Sequence, residues 1–233
     1  MHGFDLLAVL SNPDFAGMLW RGALVTLVVA AGSWCLAMGL ALVLLTLRLA
    51  PGRIGDRVVA AYVSYHRNVP TLVQLMLWYF GIASLLPDPV QDWLNDHGAE
   101  TVYGIVALGL CQAAYFSEDL RSGLRAVPAG QMEAARALGH GFVGALRHVL
   151  MPQAVRNALP ALVNHSVSLF KNSSLAMAIG VSELTHAVKE VENLSFRTFE
   201  TYLIATVAYL AVSLVIMGVG AALQRRGQVM GAR

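Results

Sequence analysis

The chain has 233 residues, of which 57% are hydrophobic and 13% charged, with a mean hydropathy of +0.60 and a formal net charge of +2. Soluble domains carry about 25% charged residues, so this composition excludes an ordinary soluble domain, and the chain length is better counted in membrane spans of roughly 20 apolar residues each. The near-neutral charge, with no basic run, excludes a nucleic-acid binder, and two cysteines in separate apolar runs, Cys35 and Cys111, make neither a disulfide framework nor a metal site.

The segment Met1–Pro13 lacks a basic n-region and carries Asp5, so the first apolar run is expected to be a retained span rather than a signal peptide. That run, Gly22–Leu47, contains no charge. Asn68–Leu86 is the second expected span, with a possible earlier start at Val58, and Thr101–Ser117 is the third. Asn157–Val181 is apolar overall but holds Pro160, Asn164, His165 and Lys171, so it is expected to face protein or a polar path rather than lipid. Thr201–Leu223 is the last span and is free of charge. No internal repeat is visible.

Arginine placement orients these five spans. Arg48, Arg53, Arg57 and Arg67 lie between the first two. Arg121, Arg125, Arg136, Arg147 and Arg156 lie between the third and fourth, and Arg225, Arg226 and Arg233 form the tail. The opposite side receives only Arg21, Lys189 and Arg197, while Pro87–Glu100 is acidic, with Asp88, Asp92, Asp96 and Glu100. The positive-inside rule therefore places the basic side in the cytoplasm. The expected fold is an all-α integral membrane protein with five transmembrane helices, its N-terminus outside and its C-terminus cytoplasmic.

The loop 121–156 is polar and helical in character. Gln131–Leu138 and Phe142–Leu150 read as two short helices separated by Gly139, His140 and Gly141, with Pro152 punctuating the end of the second. Ala134 and Ala135 leave a shallow surface on which a partner could sit closely, and Glu133 and Arg136 are spaced to pair within one turn or to face that partner. An ordinary loop on the membrane surface is the alternative.

The stretch Glu133-Ala134-Ala135-Arg136-Ala137-Leu138-Gly139, with Val149-Leu150-Met151-Pro152 nine residues later, resembles the EAA motif of bacterial ABC-importer permeases. Val149 and Met151 stand where Ile and Leu are commoner. His66-Arg67-Asn68-Val69-Pro70-Thr71-Leu72-Val73-Gln74-Leu75 resembles another element of the polar-amino-acid branch, with an Asn-Val variant similar to that of glutamate/aspartate permeases. Ser117–Gln131 resembles the segment that leads into the EAA loop, and Lys171–Thr185 the fourth span and its outer exit, so that the likeness covers roughly residues 15 to 225.

The resemblance implies a type I ABC-importer permease fold, in which residues 1–233 form a single transmembrane domain in the bacterial inner membrane. It implies a coupling role toward ATPase subunits for Glu133, Ala134, Ala135, Arg136, Gly139 and Pro152. It also implies a second permease subunit, paralogous or identical, an extracytoplasmic substrate-binding protein and an amino-acid substrate, with glutamate/aspartate ahead of glutamine, histidine or arginine. No Gly-x-x-x-x-Gly-Lys-Ser/Thr phosphate loop occurs, so ATP and Mg would be bound by a partner ATPase and no cofactor is expected on this chain.

Four polar residues within the spans are candidates for the substrate path. Lys171, Asn172 and Ser173 offer a cation, an amide and a hydroxyl for a carboxylate, against a structural pairing of Lys171 with Glu118. Gln74 fits either the path or interhelical hydrogen bonding. Glu118 and Arg121 are spaced for a local ion pair. Among rival functions, an intramembrane serine hydrolase is disfavoured because no Gly-x-Ser-x-Gly elbow occurs and adjacent His165 and Ser166 would diverge on a helix. A stand-alone secondary transporter is disfavoured by the missing repeats. The histidines show no metal-ligand spacing.

Overall fold

The computed structural model describes residues 4–231, with side chains described over 4–225. Met1 to Gly3 at the start, and the Arg226 and Arg233 side chains of the basic tail, lie outside the described residues. The described residues are almost entirely helical.

A short helix, α1 (Leu7–Leu10), precedes the longest apolar element, α2 (Pro13–Leu49). The α2 start is set locally. Asn12 accepts hydrogen bonds from the Asp14 and Phe15 amides, and Pro13 occupies the first helical turn, where its missing N–H costs nothing. Its end is set by Pro51, which drives Ala50 into extended backbone. Next come α3 (Ile54–Asn68) and α4 (Thr71–Met76), the latter continuing through a π turn at Leu77–Ile82 and a 3-10 turn at Ala83–Leu85.

The second span departs from expectation. Helix does not run through from Asn68 or from Val58, because Pro70 holds Val69 extended at φ −96° and ψ 129°. The two helical pieces therefore meet at 106°. Thr71–Leu85 alone is about 22 Å long, short of the roughly 30 Å hydrocarbon layer.

The acidic connection then holds a helix of its own, α5 (Asp88–Asp96). After α6 (Ala99–Arg125) come α7 (Gly130–Ala137) and α8 (Phe142–Ala145), which leads through a π turn at Leu146–Leu150 into α9 (Met151–Asn172). A 3-10 segment (Ser173–Ile179), α10 (Leu184–Ser195) and α11 (Thr198–Gly231) complete the chain.

Three helices, α2, α6 and α11, are long and apolar enough to cross a membrane, and the bent α3–α4 pair is a fourth crossing if taken as one span. The polar positions of α9, among them Arg156, Asn157, Asn164, His165 and Lys171, explain why it falls short on composition.

The most buried of these helices, α6, forms the axis of the bundle. It runs parallel to α2, with Ser33 donating to the Ile105 carbonyl near one end and Arg48 meeting Glu118 near the other. It runs antiparallel to α9, where Gly123 lies against Ala154 and Ala158 while Asp119 meets His165. A Cβ at Gly109 would fall 2.7 Å from Leu36, so glycine is what lets α2 approach there.

At the end opposite the α7–α8 connection, Glu183 is fully buried. It accepts from the Thr185 and His186 amides and from the Tyr209 hydroxyl, capping α10 and tying it to α11. Thr26 on α2 accepts from the Leu184 amide in the same cluster. Of the two cysteines, Cys111 is buried, whereas Cys35 is exposed on α2 and is not a core packing residue within this chain.

Candidate functional site

The connection between α6 and α9 is a compact helical hairpin. Within α7, Ala135 is buried, while Glu133, Ala134 and Arg136 are exposed. Among the described residues no ion pair joins Glu133 to Arg136, so both charges face outward.

The helix stops at Gly139, whose φ of +90° is open to glycine at little cost. The His140 amide donates to the Ala135 carbonyl and the Gly139 amide to the Arg136 carbonyl, a pairing that closes the last turn of α7. Beyond the turn the chain presents apolar groups to the outside: Leu138 is 83% exposed, Val143 72% and Phe142 55%. Such a patch is costly in water unless covered, which marks it as a contact surface. The sequence reading weighed the alanines and charges of this loop but not these three side chains. The signal was available, as large apolar residues flanking a glycine turn.

Pro152 does not end the second helix. It sits in the first turn of α9, and helical backbone runs without a break from Phe142 to Asn172. A proline has no N–H for the carbonyl four residues back, and its ring crowds that group. The wider π turn at Leu146–Leu150 accommodates this without ending the helix.

The hairpin is tied to both flanking helices. Gln153 on α9 donates to the Gln131 side chain on α7 and to the Val149 carbonyl. Asn157 on α9 donates to the Gly123 carbonyl on α6. These bonds link α7 to α9 and α9 to α6.

The polar residues within the spans separate into two groups. Gln74 is buried and committed to the α3–α4 break. Its amide nitrogen donates to the His66 carbonyl at 3.0 Å and the Val69 carbonyl at 2.8 Å, and its oxygen lies 2.6 Å from His66 Nδ1. The His66 carbonyl has no helical donor because Pro70, four residues on, lacks an N–H, and the Gln74 amide bonds it and the Val69 carbonyl at the break. This geometry answers to the hydrogen-bonding alternative, not to a path-lining one.

Ser173 is also buried, donating to the Phe170 carbonyl. Lys171 is exposed and Asn172 half-buried at the end of α9. Glu118, the structural partner considered for Lys171, is bound elsewhere. It lies 2.7 Å from Arg48 and 3.5 Å from Arg121. The expected Glu118–Arg121 pair is present, but the shorter contact comes from α2.

A second cluster was not assembled from the sequence. His165 Nδ1 on α9 lies 2.6 Å from Asp119 Oδ2 on α6. The Tyr115 ring, one turn back from Asp119, sits 5.1 Å from the His165 ring, and the Arg67 guanidinium lies 5.3 Å over the Tyr115 centroid. Arg67, Tyr115, His165 and Asp119 thus join α3, α6 and α9 in a row from cation to carboxylate. Asp119 is largely buried and the His165 side chain is 34% exposed, so the row has an accessible edge. A guanidinium and a carboxylate with two aromatic groups between them suit a zwitterion: one end takes a carboxylate, the other an ammonium.

His165 and Ser166 do diverge, because Ser166 accepts from Trp34 Nε1 and donates to the Leu162 carbonyl. Among the described residues no group of three or more His, Cys, Asp or Glu side chains is placed to hold a metal ion.

Comparison with known proteins gives a consistent result. The family model described as binding-protein-dependent transport system inner membrane component matches residues 35–228. The chain is 30% identical over 228 residues to the glutamate/aspartate import permease protein GltJ of Escherichia coli K12, covering 96% of this chain and 93% of that one. It is 34% identical over 202 residues to the arginine ABC transporter permease protein ArtQ of Haemophilus influenzae, covering 87% and 90%. Among solved structures it is similar to an amino acid ABC transporter crystallised with histidines, at a TM-score of 0.82 and 28% identity, over 97% of this chain and 100% of the other.

Proposed function

This chain belongs to the family of binding-protein-dependent transport system inner membrane components, and from that premise we propose how it works as a permease subunit of an ATP-driven amino-acid importer. It is an integral membrane protein of the type I ABC permease fold and not itself an enzyme. The observation that carries the reading is the α6–α9 connection: an exposed apolar and charged hairpin, rigidly tied to two helices, on a chain of this family.

In the proposed mechanism, partner ATPase subunits receive Glu133, Ala134, Arg136, Leu138 and Phe142 in a surface cleft, while Ala135, expected from the sequence to share that surface, is buried within this chain and does not face the partner. Closure of the ATPases moves α7, and the ties at Gln153 and Asn157 pass that movement to α9 and α6. The α6–α9 contact carries the Asp119–His165 pair, so the same movement opens or closes the polar row. Alternating access then needs only that the substrate and its external binding protein favour one state and the ATP-closed partner another.

The five-span topology with the α7–α8 hairpin in the cytoplasm follows from the arginine distribution. A second permease subunit, paralogous or identical, would close the path on the face that this chain leaves open. In this reading Lys171 and Asn172, near the far end of α9, meet substrate early, and Arg67 and Asp119 meet it deeper.

The substrate is proposed to be glutamate or aspartate. GltJ, similar over nearly the whole chain, supports this. Arginine is the alternative that the ArtQ likeness favours. The test is ATP hydrolysis in proteoliposomes holding this chain with its ATPase, partner permease and binding protein, to which single amino acids are added. Stimulation by glutamate and aspartate alone is the expected result. Stimulation by arginine or glutamine instead keeps the importer and discards the acidic substrate. No stimulation by any amino acid in an assembled complex overturns the transport reading.

A further inference from the structure

At the end of the bundle that carries the α7–α8 hairpin, a cavity of about 430 Å³ opens among α2, α3 and α6. Arg48, Ser64, Arg67, Asn68, Glu118 and Arg121 line it. Three guanidinium groups line it against one carboxylate, of which Arg48 and Arg121 contact Glu118, and the cavity is electropositive.

Arg48 is the unusual member. Its side chain is 7% exposed, and one nitrogen lies 2.7 Å from Glu118. Its Nε and Nη1 are buried and have no hydrogen-bond partner among the described residues, Glu118 Oε1 likewise lacks a geometrically aligned one, and Asp56 lies 4.0 Å from Nε. Buried N–H groups of a cation are rarely left idle, and an acceptor entering the cavity would supply what Glu118 does not.

Two further observations indicate what that acceptor is. The first is depth. The apolar run of α2 ends at Leu47, and Arg48 is the first charged residue after it. A span that ends there places the cavity at the level of the phospholipid headgroups.

The second is the surface of α3, which turns through 106° from the helix that follows it. Ile54, Val58, Ala61 and Tyr65 form an exposed apolar stripe along α3, and Arg57, Ser64 and Arg67 lie beside that stripe. Apolar and cationic strips side by side on the exposed faces of α3, whose opposite face packs on α2 and α6 through Val59 and Val63, are the pattern of an element at the membrane interface.

We propose that this cavity is a binding site for the phosphate of an anionic phospholipid, whose acyl chains lie along Ile54, Val58 and Tyr65. The site is distinct from the transport row, sharing only Arg67 with it. It would hold α3 against the ends of α2 and α6, so that occupancy stiffens the end of the bundle on which the ATPase partner docks. A transported carboxylate is the competing ligand, and the depth and the apolar stripe favour the lipid.

The test uses the assembled complex in detergent, analysed by native mass spectrometry with tail-matched phosphatidylglycerol and phosphatidylcholine. The wild-type complex is expected to retain phosphatidylglycerol at least about tenfold better. Two variants leave the Arg48–Glu118 contact in place: Arg121→Gln removes charge, and Ser64→Trp fills the cavity from its exposed rim. Each is expected to abolish most of that preference, whereas Arg225→Gln on α11 keeps it. Equal retention of the two lipids by the wild type overturns the site. An unchanged preference in whichever of the two variants assembles does so as well. Displacement of phosphatidylglycerol by millimolar glutamate, which does not displace phosphatidylcholine, assigns the cavity to a carboxylate ligand and overturns the lipid reading.

Discussion

Single side chains in this protein separate into those that hold the fold and those proposed to face the path, and substitutions tell the two apart. Gln74 belongs to the first class, because all of its polar atoms are spent on His66, Val69 and Cys111. Gln74→Leu strips the His66 and Val69 carbonyls of their donor, and each buried group left unsatisfied costs about 1–3 kcal/mol. The expected outcome is a lower unfolding temperature for the purified complex, with the half-saturating substrate concentration unchanged in the protein that survives. A raised half-saturation at normal stability would return Gln74 to the path. Asp119 is buried and bonded to His165, yet it is the carboxylate proposed to meet the substrate. Asp119→Asn keeps the shape of the His165 contact but removes the charge, so substrate-stimulated ATP hydrolysis should need at least tenfold more amino acid. Assembly and basal hydrolysis should be preserved. Wild-type kinetics in that variant would leave the Asp119–His165 pair a purely structural link between α6 and α9.

In the proposed mechanism coupling depends on the α7–α8 hairpin, and its parts have separable roles. Gly139 sets the turn through its positive φ, and Leu138, Phe142 and Val143 supply apolar contact area. Leu138→Asp places a charge on the most exposed apolar position of the hairpin without touching its internal hydrogen bonds. Transport and substrate-stimulated hydrolysis should fall by a factor of ten or more while the chain remains in the membrane, because a buried unpaired carboxylate would oppose docking. Gly139→Pro should have the same functional effect by a different route. A proline cannot adopt φ near +90°, and it would delete the amide that donates to Arg136. Normal uptake by both variants would remove the hairpin from the coupling path. The hairpin was legible in the sequence because glycine and proline act on their immediate neighbours. The fate of Pro152 was not, since a helix can absorb a proline through a π turn when its flanks are packed.

Across the whole molecule, helix direction and charge define two unlike ends. The hairpin, the end of α2 and the arginine-rich cavity share one end, while α5, α10 and the buried Glu183 cap share the other. The proposed topology is tested by placing single cysteines at Asp92 and at Arg147 in a chain lacking Cys35. A membrane-impermeant maleimide added to intact spheroplasts should label position 92 and spare position 147 until the membrane is opened. The reverse pattern would invert the orientation, and labelling of both would rule out an odd number of crossings between them. The bend at Pro70 bears on the same question. It sets α3 at 106° to the helix that follows, so a crossing there would depend on a short helix braced by the Gln74 hydrogen bonds.

The sequence by itself was enough to place the chain in a membrane, to mark the long apolar runs and to single out the hairpin with its turn at Gly139. Each of these is written in contiguous residues: hydropathy accumulates along a run, and glycine or proline constrains the backbone where it stands. The 106° bend, the Gln74 brace, the Arg48–Glu118 contact and the Asp119–His165 pair were decided by the tertiary structure. Arg48 and Glu118 are on different helices, as are Asp119 and His165, and a charge's partner depends on which helix faces pack. That packing is set by small residues such as Gly109 and Gly123, which show what they admit only once the helices are brought together.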